Sequence, residues 1–112
     1  MRDHFDVLIS VQSRFAQSMI NGTKTIELRR QAPRIDTPRR VWIYNKKPVA
    51  AVTATGTISA IELISPAQLW GEHSDKLSIS LEEFNSYVAG KQFIAAIHVI
   101  DIKSIPPIGL SD

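Results

Sequence analysis

Val49 to Ile61 is an unbroken run of β-branched and small residues with Gly56 in its middle. Val, Ile and Thr crowd a helix but suit a pleated strand, so the run predicts one long strand. A glycine inside a strand marks a bulge or a bend. Bent strands are how a small sheet curls on itself, so this segment predicts closure into a small β-barrel.

The rest of the chain supplies partners for that strand. Val7–Val11 is a short apolar run with the length of a buried strand. Gln12 to Asn21 reads as a helix with Phe15, Met19 and Ile20 on one side, ended at Asn21-Gly22 because glycine tolerates the left-handed conformation past a helix end. Thr25 to Arg29 alternates with period two: Ile26 and Leu28 point one way, and Thr25, Glu27 and Arg29 the other. Gln31 to Arg40, with Pro33 and Pro38, is a loop. Val41 to Tyr44 is a strand with Trp42 and Tyr44 sharing a face, and Asn45 to Pro48 is a turn. Two short helices follow. Ser65 caps the first, with Pro66 at its first position and Gln68 placed for a capping box. Ser80 caps the second, with Glu83 at the box position and Gly90 as the stop. Leu81, Phe84 and Val88 are assigned to the core, as are Trp70, Tyr87 and Phe93. Phe93 to Ile102 is a central strand, and Pro106-Pro107 ends regular structure. The order β-α-β-β-β-α-α-β is an α+β fold with peripheral short helices. Its strands are spaced too unevenly for repeated βαβ units.

At 112 residues the chain is expected to form one domain over 1–112, large enough to bury roughly 65% of its unfolded surface. It has no cysteine, which excludes disulfides and cysteine-based zinc sites. No apolar run approaches the ~20 residues that span a bilayer, and Met1 to Asp6 does not open a signal peptide. A cytoplasmic protein without a membrane partner is expected.

The net charge of +2 is unevenly spread. Residues 24–47 hold eight bases against Glu27 and Asp36, whereas residues 48–112 hold three bases against seven acids. One positive face and an anionic partner are the expectation, with a solvated basic loop as the plain alternative. Glu27 and Arg29 project from one strand face, and Lys24 stands at the strand entrance. Arginine offers a planar fork and lysine a point charge, while glutamate orients both or accepts from an amino group. Trp42 and Tyr44 could stack on bases, with Arg30, Lys46 and Lys47 meeting phosphate. A structural ion-pair network, with Trp42 in the core, is the competing account. His73, beside Glu72 and Asp75, reads as solvated, His98 as a satisfied core histidine, and His4 as part of a fraying terminus. No histidine pair has metal-ligand spacing, and no glycine-rich phosphate loop is present, so neither metal nor cofactor is expected.

The segment Asn21 to Arg30 resembles the ASCH family, a relative of the PUA fold. That family is marked by a helix ending in glycine, then Gly-x-Lys-x-x-Glu-x-Arg at a strand start, filled here by Gly22, Lys24, Glu27 and Arg29. The resemblance continues in order through Ile43-Tyr44, Pro48-Val49, Leu69-Trp70, Ser80 to Phe84 with Tyr87, and the last apolar strand to Pro107. It implies a PUA-like barrel and an RNA- or nucleotide-binding module acting near transcription or translation. One branch of the family is instead an amidohydrolase of acetylated cytidine that uses a lysine, a threonine and a glutamate. Lys24 matches the lysine, but Glu27 stands in place of the threonine and Leu77 in place of the glutamate, with Glu72 nearby out of register. A binding module is therefore the first reading. A hydrolase of a modified nucleoside or of RNA, with Lys24 and Tyr44 as catalysts, is the second. The acidic C-terminal half leaves a protein partner open.

Overall fold

A computed structural model of the chain describes residues 5–110. Among these residues the elements run β1 (Val7–Val11), α1 (Ser13–Asn21), β2 (Ile26–Arg29), β3 (Arg39–Asn45), β4 (Ala51–Ile64), α2 (Pro66–His73), a 3-10 turn (Ser74–Lys76), α3 (Leu81–Val88) and β5 (Ile94–Gly109). This is the order expected from the sequence.

Capping chemistry sets the helix ends. Gly22 closes α1 with φ 83°, and its N–H donates to the Met19 carbonyl. The Thr23 and Lys24 amides then both donate to the Ser18 carbonyl, which ties Lys24 to the helix end. Ser80 and Glu83 form a reciprocal capping box on α3. Ser65 caps α2 through the Gln68 amide, but the Gln68 side chain donates to Glu72 at 3.0 Å instead of completing the expected box.

The strands form one mixed sheet in the order β1-β3-β4-β5-β2, with β1 parallel to β3 and the other pairs antiparallel. Beta-bulges interrupt the β4–β5 ladder in three places, and Gly56 lies in one of them, as its position predicts. A side chain at Gly56 would put its Cβ 2.3 Å from Ile102 Cδ1 and 3.1 Å from the Ile100 carbonyl, so the bend also demands a small residue. The expected barrel closure is not formed. β1 and β2 are the two sheet edges, only five and four residues long, and no ladder joins them. A side chain spans the gap instead: Arg29 Nη2 donates to the Ser10 carbonyl at 2.9 Å.

Pro106 and Pro107 do not end the last strand. From Val52 to Ala54 the partner strand steps from Ile108 to Ser104, so both prolines fall in a bulge where no ladder donor is needed.

Strand alternation places two cores on opposite sheet faces. Ile9, Val11, Val41, Ile43, Ile58 and Ile97 pack under Ala16 and Met19 of α1. Ile26, Leu28, Ile94 and Ala96 pack under Leu69, Leu77, Phe84 and Val88 from the α2–α3 segment. Each fully buried Ile or Leu here contributes about 1.5–3 kcal/mol. Trp70 and Tyr87 pack partly against the second core, but Leu81 and Phe93 do not join it. Leu81 is the first residue of α3 and points to solvent, and Phe93 precedes β5 with its side chain half exposed.

Candidate functional site

Alternation along β2 sends Ile26 and Leu28 into the second core and turns Glu27 and Arg29 to the other face, toward the open seam between β1 and β2. A cleft of about 490 Å³ lies at that seam, bounded by β1, the first turn of α1, β2 and α3. Five cations line it (Arg14, Lys24, Arg29, Arg30 and Lys46) against three carboxylates (Glu27, Glu82 and Glu83).

Lys24 lies at the floor, 2% exposed. Its ammonium donates to the Leu77 carbonyl at 2.7 Å, stands 3.6 Å from Glu27 Oε1 and lies 4.6 Å above the Phe15 ring. The 3-10 turn makes this possible, because it carries the chain back so that Leu77 presents its carbonyl inward and the Thr25 amide bonds to the Lys76 carbonyl. Burial pushes the Lys24 ammonium below the usual lysine range; Glu27 opposes that shift, and Arg14 and Arg29 add to it. Glu27 Oε2 holds Arg29 Nη2 at 3.1 Å. One buried carboxylate thus anchors two cations, and Arg29 keeps 34% of its side chain open to the cleft.

The rim is made by pairs that local sequence did not reveal. Arg14 on α1 and Glu83 on α3 form a two-pronged ion pair across the mouth, with both side chains about half exposed. The Arg14 hydrogen bond, helped by the Ser80 backbone N–H, holds the Glu83 carboxyl at about 2, and Glu83 in turn raises Arg14. Arg14 also lies 4.3 Å over the Phe15 ring. Arg30 lies 4.1 Å over Tyr87 and donates to the Tyr87 carbonyl, while the Tyr87 hydroxyl donates to the Leu28 carbonyl. Arg14 and Tyr87 enter the site through contacts more than 50 residues apart in sequence, for which a helix-face pattern carries no signal, whereas Phe15 enters beside Lys24, nine residues on.

The other sequence-predicted residues are placed elsewhere. Trp42 and Tyr44 share a face, as the alternation predicts, but β3 does not neighbour β2, and neither residue lines the cleft. Trp42 Nε1 donates to Asp6 Oδ2 at 2.8 Å, and Arg40 covers its ring at 5.2 Å. Lys47 is exposed and outside the cleft, whereas its neighbour Lys46 lines it. Arg39 is buried and donates to the Phe5 carbonyl, so it is not part of a free basic face.

His98 bonds to Glu62 at 3.2 Å, as a satisfied histidine should. His73 is not simply solvated: its Nδ1 is buried without a hydrogen-bond partner, and its ring meets His98 edge-on. His4 lies outside the described residues. Among the described residues no three His, Asp or Glu side chains converge as a metal site requires, and no helix is long and apolar enough to cross a membrane.

A family model described as "Domain of unknown function (DUF365)" matches residues 4–107. A Zymomonas mobilis protein named "ASCH domain-containing ribonuclease" is 30% identical over 108 residues, covering 96% of this chain and 73% of that protein. The chain belongs to the ASCH domain family. The solved ASCH structure from Zymomonas mobilis superposes with a TM-score of 0.87 at 30% identity, over 92% of this chain and 72% of that one. A point variant of the same protein gives the same TM-score. The solved structure of hypothetical protein PH0355 superposes at 0.63 with 17% identity, which shows shared fold alone. The ASCH motif residues Lys24, Glu27 and Arg29 are the ones that meet at the cleft floor.

Proposed function

We propose that this ASCH domain binds RNA in the cleft between β1, β2 and α3. The observation that carries the proposal is the fixed, partly open guanidinium of Arg29. Glu27 and the Ser10 carbonyl hold it in place, and Arg30 and Lys46 stand in the same cleft without a carboxylate partner among the described residues. Fixed forked donors suit phosphate, and Lys46 adds a point charge. The RNA-related name of the Zymomonas mobilis relative supports the same class of ligand.

The test is fluorescence anisotropy with labelled single-stranded RNA over a salt series. Three phosphate contacts by Arg29, Arg30 and Lys46 give a slope of log K against log salt near about −2. Arg29→Ala should weaken binding about ten-fold and lower the slope by about 0.7. Binding that is absent, or indifferent to salt and to Arg29→Ala, would reject the proposal.

A second reading is hydrolysis of RNA in the same cleft. It is favoured by the relative's ribonuclease name and by the burial-lowered Lys24 ammonium, since a lysine that more readily loses its proton can take one from an attacking hydroxyl. In that step the hydroxyl oxygen bonds to phosphorus and its proton passes to neutral Lys24, while the P–O ester bond breaks and the ester oxygen leaves with the bonding pair and takes a proton from water. Tyr44 stands outside the cleft, so this reading rests on Lys24. RNA, with acetylated cytidine as a second substrate, should yield products that disappear in Lys24→Ala. Equal product from wild type and variant rejects it.

A further inference from the structure

On the outer face of the sheet the α2–α3 helices cover one end. The α2–α3 segment packs over β2, the start of β5 and the end of β4 through Ile26, Leu28, Ile64 and Ile94. The apolar side chains of α1 pack on the first core and those of the α2–α3 segment on the second, and neither set includes the outward residues of β1, β3 and the first half of β4. Two cross-strand rows run across this part of the face, with Leu8, Lys103 and Ile108 exposed at their ends, Ser10, Trp42 and Tyr44 partly buried, and Val52 and Thr55 buried. Leu8 pairs with Trp42, Trp42 with Thr55, and Thr55 with Lys103. Ser10 pairs with Tyr44, Tyr44 with Val52, and Val52 with Ile108. Leu8 and Ile108 are each nearly half exposed.

We infer that this part of the face is a second contact surface for single-stranded RNA, continuous with the cleft and able to stack bases on Tyr44 and Trp42. The inference rests on the RNA reading of the cleft and extends its ligand from the short stretch held in the cleft to a longer strand. Three observations favour RNA over another occupant. The first is continuity. Ser10 lines the cleft and receives Arg29 on its carbonyl, and Tyr44 is its direct neighbour on β3, one strand spacing of roughly 4.8 Å away. Lys46, two residues beyond Tyr44, also lines the cleft.

The second is spacing. Residues i and i+2 of a strand project from one face about 6.8 Å apart, and aromatic residues set on a sheet in this way stack two or three successive bases. The third is charge. Lys103 makes no ion pair among the described residues, while Arg40 lies over Trp42 and shares Asp6 with it. A guanidinium over an indole is itself a stacking plane.

The test compares uridine oligonucleotides of two and eight nucleotides by anisotropy on the full chain. The octamer should bind more tightly than the dinucleotide. Trp42→Ala and Tyr44→Ala should each weaken the octamer five-fold or more and leave the dinucleotide unchanged. Trp42→Phe and Tyr44→Phe should retain octamer binding, because a ring remains. Should Trp42→Ala fail to fold, exposed Lys103→Glu carries the test, with the same selective loss for the octamer. If these variants leave the octamer unchanged while Arg29→Ala weakens both lengths, the sheet face is overturned and the cleft reading stands. If neither oligonucleotide binds wild type, both fall. If sedimentation shows a dimer that Trp42→Ala dissociates, the face belongs to a second copy of the chain and the inference is overturned.

Discussion

Glu27→Gln is the substitution whose consequence can be worked furthest. Glu27 is the buried carboxylate that faces Lys24 at 3.6 Å and Arg29 at 3.1 Å. An amide keeps the shape and removes the charge. Arg29 is 34% exposed and keeps its bond to Ser10, so it can lean toward water. Lys24, at 2% exposed, cannot. It must either remain a buried unpaired cation or lose its proton. Removing one partner of a buried pair costs about 3–5 kcal/mol. Deprotonation sets a ceiling on that figure. Holding a lysine neutral at pH 7, when the unfolded chain titrates near 10.4, costs about 1.36 kcal/mol for each of ~3.4 pH units, or about 4.6 kcal/mol. The expected loss is therefore about 3–4 kcal/mol, a large part of the 5–15 kcal/mol typical of a folded domain.

The same reasoning fixes the pH dependence. Burial already lowers the folded-state titration of Lys24, so above that lowered value the unfolded chain binds more protons than the folded one. This group's contribution to stability therefore rises with pH until about 10.4. Glu27→Gln lowers the folded value further and widens that window downward. At pH 10 a neutral Lys24 costs only about 0.7 kcal/mol, so most of the destabilisation should vanish there. Urea unfolding at pH 7 and pH 10 reads both numbers. Lys24→Met combined with Glu27→Gln should recover most of the loss at pH 7, because an apolar side chain needs no counter-charge. A loss under about 1 kcal/mol at pH 7, or one that is the same at both pH values, would refute the account of Lys24 as a buried cation held by Glu27.

Gly56→Ala should destabilise by about 1–3 kcal/mol, since its Cβ would lie 2.3 Å from Ile102 Cδ1, and Ile102→Val should return part of that loss in urea unfolding. Ser80→Ala removes the α3 cap and should lower stability by about 1 kcal/mol by thermal melting. The Glu83 carboxyl is held down to about 2, so whatever stability the Arg14 pair adds is present above pH 4.5 and lost as pH falls toward 2; melting curves of wild type and Arg14→Ala should converge over that window. Leu81→Ser should shift stability by less than about 0.5 kcal/mol, because Leu81 is half exposed.

What the sequence disclosed was the part governed by neighbours along the chain. The α1 stop at Gly22, the capping box of Ser80 and Glu83, the bulge at Gly56 and the polar face of β2 follow from local rules, and all are found. Global pairing lay beyond those rules. Alternation puts Trp42 and Tyr44 on one face of β3, but it does not say that β4 and β5 stand between β3 and β2. The same limit hid the cleft rim. Glu82 and Glu83 belong to the acidic C-terminal half in the charge count, yet α3 delivers them to the mouth of the basic cleft. The proline pair misled for a local reason: a proline ends a strand only where its missing N–H is needed, and a bulge removes that need.

The arrangement at the cleft floor bears on the two accounts of the Lys-Glu-Arg motif. A purely structural network would gain most by pairing every cation with a carboxylate and closing over it. Lys24 and Glu27 do close over each other. Arg29 does not: it is bonded on one side to Glu27 and on another to Ser10, and a third of its side chain remains open. Arg30 spends its contacts on the Tyr87 ring and carbonyl, which neutralise nothing, and Lys46 is exposed with no ion pair among the described residues. A buried pair contributes little net stability, because desolvation offsets its attraction. Its effect here is positional. It sets one guanidinium at a fixed height between two sheet edges that no backbone ladder joins, and a closed barrel would have filled that seam with hydrogen bonds. The open seam and the fixed cation are thus one feature of the fold, and the RNA proposed above is the ligand read into it.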